Sequence, residues 1–296
     1  MNRRDLLKST ALAAAGAGLL AAAPRPAGNP STAARESLSL FTREWGTGKP
    51  VVFLHSWANN ADLWQYQMTH LAANGMCCIS YDQRGHGRSP DPGHGFDFDT
   101  MADDLAGVLA KFDVHGATIV AHSMGCSEAV RYLSRHGTKR IARVVLVAPT
   151  LPFLLKTADN PDGFDAAAFE RLRSNWLRDF PKWLSDNSRP FFMPETSPAM
   201  IEWGLSLSRQ VSLQAAIECN RAIAETDFRA ELRALTLPTL IVQGDKDVSA
   251  PLERTGRKTA ALVRGSELKV YEGAPHGLML THIDRLNADL LAFINS

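Results

Sequence analysis

Six short strand-like runs, several of them apolar at consecutive positions, constrain this chain more than any other feature: residues 51–56, 77–82, 117–122, 143–148, 239–244 and 267–271. A strand whose neighbouring side chains are all apolar must be covered on both faces. The stretches between the runs carry helical periodicity, so the sequence predicts an α/β fold in which a mostly parallel sheet is flanked by helices on both sides. One helix is expected to start at Thr100, with Thr100 capping it, Asp103 in its first turn and Leu105, Val108, Leu109 and Phe112 as its buried stripe. With 296 residues, 45% of them apolar, the chain can bury a sizeable core.

The alternation breaks between residues 151 and 236. No strong strand is predicted there, and the stretch carries Phe153, Phe164, Phe169, Trp176, Phe180, Trp183, Phe191, Phe192 and Trp203. We read it as a helical cap insertion within a domain spanning 31–296, with most of these aromatic residues forming local core and a few lining a pocket. Thirty-two Lys and Arg against 31 Asp and Glu leave a net charge of +1. Such a chain has no basic field to hold nucleic acid or acidic lipid, and a small-molecule partner is expected. Four cysteines without a C-x-x-C spacing suggest neither a disulfide scaffold nor a zinc site, and they read as small core residues.

Residues 1–30 differ in kind. Arg3-Arg4-Asp5-Leu6-Leu7-Lys8 precedes a run of thirteen residues, Ala11 through Ala23, made only of Ala, Gly and Leu. A helix of that length falls well short of the roughly 20 residues needed to cross a bilayer. The segment resembles a bacterial twin-arginine export signal, which implies the twin-arginine machinery as a partner, no stable membrane anchor, and a periplasmic or secreted destination. Ala21-Ala22-Ala23 offers small residues for cleavage, although Pro24 directly after them argues for a cut a few positions later.

Ser123 lies where a β-branched run, Ala117-Thr118-Ile119-Val120-Ala121-His122, passes directly into a helix. Ala121 and Gly125, two positions to either side, leave room for a turn tight enough to push the hydroxyl clear of the sheet. A serine at its ordinary proton affinity is a poor nucleophile; it needs a base, and the base needs a group that fixes its tautomer. His276 is the candidate base, in a Gly273-Ala274-Pro275-His276-Gly277 loop after the last run. Asp247 and Asp245, both just past the run at 239–244, are the candidate acids.

Five segments in order, Phe53-Leu54-His55-Ser56-Trp57, Tyr81-Asp82-Gln83-Arg84-Gly85-His86-Gly87-Arg88-Ser89, the turn around Ser123, Gly244-Asp245-Lys246-Asp247 and the loop around His276, resemble the α/β-hydrolase fold, and within it the arylesterases and cofactor-free haloperoxidases or perhydrolases. The resemblance spans most of the chain after Leu40. It implies no cofactor and a triad of Ser123, His276 and Asp247, the acid being third after the glycine. It also implies an oxyanion hole made by the backbone amides of Trp57 and Met124. Most relatives have glycine where this chain has Ser56, and perhydrolytic relatives commonly have proline where it has Ala58. His55, His122, Asp82 and Arg84 read as supports of their loops. The acidic cluster of Asp97, Asp99, Asp103 and Asp104 reads as a solvated helix start rather than a metal site. The function expected from these residues is hydrolysis of small apolar or aryl carboxylic esters through an acyl-enzyme. The same triad serving as a perhydrolase, or a catalytically idle binding protein on the same fold, are the alternatives.

Overall fold

A computed structural model describes residues 38–296; the export signal read at 1–30 lies outside them. Seven strands, β1 (Thr42–Trp45), β2 (Lys49–Leu54), β3 (Met76–Tyr81), β4 (Ala117–His122), β5 (Ile141–Val147), β6 (Thr239–Gly244) and β7 (Glu267–Tyr271), form one sheet in the order β1-β3-β2-β4-β5-β6-β7. Every neighbouring pair is parallel except β1 with β3. The helices are α1 (Gln65–Ala73), α2 (Phe98–Lys111), α3 (Met124–His136), α4 (Ala166–Asn187), α5 (Pro198–Ser208), α6 (Leu213–Glu225), α7 (Arg229–Ala234), α8 (Gly256–Leu262), α9 (Leu278–Thr281) and α10 (Ile283–Asn295).

The consecutive apolar runs have the cause inferred from the sequence. Val52, Leu54, Ile79, Ile119, Val144, Leu146 and Ile241 point to one face of the sheet and join the core beneath α2 and α3. Val51, Phe53, Cys78, Val120, Val145, Val147, Leu240 and Val242 point to the other and pack with residues of α1, α9 and α10. The sequence missed β1. Its four residues, Thr-Arg-Glu-Trp, are at most half-buried at the sheet's edge, so no apolar run marks them. Cys78, Cys126 and Cys219 are buried free thiols, but Cys77 is only half-buried, beside Glu44 at the same edge.

The expected start of α2 needs correcting. The helix begins at Phe98, and the cap is Asp97, whose extended backbone lets its carboxylate accept the Thr100 amide at 2.8 Å. Thr100 is buried inside the first turn, with its hydroxyl also donating to Asp97. Asp99, not Asp103, is the first-turn acid, and Phe112 sits past the helix's last residue, only half-buried. The acidic cluster is not simply solvated. Asp104 takes two 2.7 Å hydrogen bonds from Arg84, while Asp99 and Asp103 pair with Arg131, Arg135 and His136 on α3.

Between β5 and β6 the chain forms α4 to α7, with only two isolated β-bridges, Leu155 with Phe164 and Thr157 with Asn160. Helix α4 is kinked where Asp179 leaves helical geometry (φ −163°, ψ 83°) two residues ahead of Pro181. Because a cap carboxylate on an orphan amide contributes roughly 1 kcal/mol, Asp97→Ala should destabilise the protein by about that much in urea unfolding monitored by circular dichroism. A change below about 0.3 kcal/mol would count against Asp97 as the cap.

Candidate active site

Ser123 stands between β4 and α3 with φ 54° and ψ −112°, a conformation that side chains rarely adopt. The turn is possible because Gly125 faces the end of β2: a Cβ there would lie 2.8 Å from the His55 carbonyl oxygen and 2.9 Å from the Leu54 Cβ. The Ser123 amide donates to Val147 O at 3.0 Å, tying the turn to the neighbouring strand.

Since β2, β4, β6 and β7 are parallel, the segments that follow them emerge at one edge of the sheet, where ligands bind in open α/β sheets. The loop after β6 carries Asp247, buried, whose Oδ1 accepts the amides of Ser249 at 2.9 Å and Ala250 at 2.8 Å. Its Oδ2 accepts from His276 Nδ1 at 2.7 Å. With the proton held on Nδ1, the Nε2 lone pair of His276 is left as an acceptor. The two loops can meet because β6 ends in a glycine: a Cβ on Gly244 would lie 1.9 Å from Ala274 O. Asp245, the rival acid, is exposed and accepts the Gly273 amide at 2.7 Å instead.

The loop after β2 completes the group. Buried His55 is held neutral, its pKa lowered by burial; its Nδ1 donates to Ser56 O at 2.8 Å and its Nε2 accepts the Gln83 amide at 2.9 Å. These bonds set the plane of the Ser56–Trp57 peptide. Ser56 causes no strain where relatives have glycine, because its φ is not positive and its Oγ accepts from Asn59 Nδ2 at 3.0 Å. The left-handed residue of this loop is Ala58, at φ 52°. Among the described residues the amides of Trp57 and Met124 have no protein acceptor.

Ser123, His276, Ser56 and Trp57 line one cavity of about 320 Å³. Its remaining wall is mostly apolar, with Leu154, Leu172, Leu184, Leu205 and Ile223 prominent. Of the nine aromatic residues noted between 151 and 236, five line the cavity, namely Phe169, Trp176, Trp183, Phe191 and Phe192, more than the few expected. Trp57 anchors this wall: it stacks on Trp176 with ring centroids 4.7 Å apart, and its indole donates to Ala216 O at 2.8 Å. That size and lining suit a small, largely apolar ligand.

His122 serves as packing and support. It is fully buried, 4.7 Å from the His276 ring between centroids, and its Nε2 donates to His276 O at 3.1 Å. Burial drives its pKa well below the usual imidazole range, with the neighbouring His276 adding to the effect. Asp82 is likewise structural. Burial opposes its ionisation, but bonds from Arg88 Nε, the Arg88 amide and the Ala61 amide, each at 2.8 Å, hold its carboxyl below the usual range.

The family model for the alpha/beta hydrolase fold matches residues 49–283, and the chain belongs to that family. It is 37% identical over 275 residues to a non-heme chloroperoxidase of Kitasatospora aureofaciens, covering 90% of this chain and 99% of the relative. A bifunctional esterase/perhydrolase of Acinetobacter calcoaceticus is 32% identical over 274 residues, covering 88% and 98%. Among solved structures, a bromoperoxidase from Bacillus anthracis superposes with a TM-score of 0.84 at 34% identity, over 87% of this chain and 95% of that one. Together these relatives make the protein a hydrolase of the α/β fold in its esterase and haloperoxidase branch.

Sequence reasoning missed Glu128, one turn into α3 beyond the serine. It is fully buried and accepts hydrogen bonds from the Tyr81 hydroxyl and Gln83 Nε2. Burial pushes its pKa up to about 8, against the lowering effect of those two donors. Nothing in the pattern Ser127-Glu128-Ala129 marked it, since a lone acid in a helix ordinarily faces water. Folding therefore favours its protonated form. The stability this provides is fully present below the ordinary glutamate value of 4.5 and is lost as pH rises through about 8. Glu128→Gln, which keeps an acceptor for Gln83 and whose NH₂ donates to the Tyr81 oxygen with the hydroxyl turned, should melt above the wild type at pH 9 and close to it at pH 5. An equal difference at both pH values would contradict a buried, protonated Glu128.

Proposed function

We propose that the protein is a serine carboxylesterase that cleaves small apolar or aryl esters through an acyl-enzyme. The observation that carries this reading is that Ser123, held at φ 54°, and His276, with its tautomer set by Asp247, line the same apolar cavity. Ser123 Oγ attacks the ester carbonyl carbon while its proton passes to His276 Nε2. The carbonyl oxygen becomes an oxyanion, received by the amides of Trp57 and Met124. As the C–O bond breaks, His276 returns the proton to the departing alcohol or phenol. Water then attacks the acyl-enzyme, losing its proton to His276, and collapse of the second tetrahedral species frees the acid and restores the Ser123 hydroxyl. Asp247 stays ionised throughout, offsetting the charge on the imidazolium.

The names of the haloperoxidase and esterase/perhydrolase relatives support a second reading, in which hydrogen peroxide replaces water and the product is a peracid. The loop after β2 favours water. Proline holds φ near −65°, so it cannot take the place of Ala58 at φ 52° without rearranging the turn that presents the Trp57 amide. Ester cleavage and peracetate formation, measured side by side with excess peroxide, separate the two.

Ser123→Ala should lower kcat on 4-nitrophenyl acetate by roughly 10⁴-fold or more, and Asp247→Asn by about 10³- to 10⁴-fold, with each variant retaining the wild-type circular dichroism spectrum. Turnover by Ser123→Ala at the wild-type rate would end the esterase reading.

A further inference from the structure

The cavity wall contains polar residues that ester cleavage does not use, among them Asn59, Thr150, Asn187, Ser208 and Asn220. Asn220, on α6, lines the cavity. Its Oδ1 accepts a 3.0 Å hydrogen bond from Arg173 Nη1 on α4. Since a guanidinium can only donate, this bond settles which end of the amide is which. The NH₂ is therefore the end that Arg173 does not hold, and among the described residues it has no acceptor. Arg173 is itself 4% exposed, and its other arm is 2.6 Å from Glu170 Oε1. The orientation of Asn220 is thus imposed by a buried, charge-balanced partner.

Asn220 stands close to the chemistry of the loop after β2. Four residues before it on α6, and so on the same face, Ala216 O accepts the Trp57 indole. Three residues after Arg173 on α4, Trp176 stacks on Trp57. Trp176 is 1% exposed, and its Nε1 is a buried donor without an acceptor, whereas Asn220 is half-buried. Around these groups the wall is mostly leucine, isoleucine and aromatic carbon. A ligand that fills the cavity takes water from a donor in such a wall, and one that supplies an acceptor there offsets the loss.

Resting on the esterase reading, we propose that Asn220 is a specificity residue that selects esters carrying a second, uncharged acceptor oxygen, such as an ether or ketone, in the part of the substrate lying along Trp57. The acceptor is uncharged because Arg173 does not line the cavity and Glu170 already balances it, while an anion would lose its hydration to an apolar wall.

The test compares 4-nitrophenyl heptanoate with its isosteres in which oxygen replaces one chain methylene, moved stepwise along the acyl chain, in the wild type and in Asn220→Asp. The variant keeps an acceptor for Arg173 but presents an oxygen where the NH₂ was. At one oxygen position the wild type should show kcat/KM at least about fivefold above heptanoate, and Asn220→Asp should bring that ratio to one or below. Isosteres that are all cleaved no faster than heptanoate by the wild type would overturn the proposal whether or not the variant folds. So would a preference that survives unchanged in Asn220→Asp. Brisk cleavage of heptanoate in either of those cases leaves the esterase reading standing, whereas no cleavage of any ester removes both.

Discussion

A close approach of two backbones underlies the whole site. The chain leaving β4 must turn into α3 within one residue, directly against the end of β2, and only a residue without a side chain fits at Gly125 beside Leu54 and the His55 carbonyl. That contact holds Ser123 in a strained conformation. It also packs the start of α3, which offers the Met124 amide, against the loop that offers the Trp57 amide. Strain of this kind persists only where the surroundings over-determine it, and here β5 supplies a further restraint through Val147 O.

Behind the turn lies a buried polar layer. His55 bonds both to the Ser56 carbonyl and to the Gln83 amide, and the Gln83 side chain reaches Glu128. Asp82 ties Arg88 to the Ala61 amide in the segment after β2, and Arg84 clasps Asp104 on α2. Apart from Ser56, none of these residues lines the cavity, yet they hold the loop after β2 in place, because each buried polar atom that found a partner would be costly to pull from it. An oxyanion site made of backbone amides has no side chain of its own to be adjusted, so its geometry comes from supports of this kind.

Much of this was legible before any coordinates. The runs at 117–122 and 239–244 coincide with β4 and β6 because an apolar β-branched segment bounded by glycine or loop residues has few other ways to bury itself, and the run at 267–271 coincides with β7. Position just after a strand marks Ser123 and His276, while Asp247 is separated from Asp245 only by the resemblance to the hydrolases, and the Asp247–His276 hydrogen bond brings two of the three together. Less legible were the features that depend on partners distant in the chain. Strand β1 is marked only by its pairing with β3, Asp97 displaced Thr100 as the cap through its own backbone angle, and Glu128 is buried only because Tyr81 and Gln83 lie opposite it.

The order of residues was enough to say that the sheet is parallel, that it is covered on both faces, and that a serine, an aspartate and a histidine follow three of its strands. Those are consequences of side-chain size, branching and periodicity, which act over a few neighbouring positions. Which cavity Ser123 and His276 share, which nitrogen of His276 is left free, and which end of the Asn220 amide Arg173 holds were decided by packing. Each depends on a partner tens to hundreds of residues away, and hydrogen bonding between such groups has no local signature until the chain has folded.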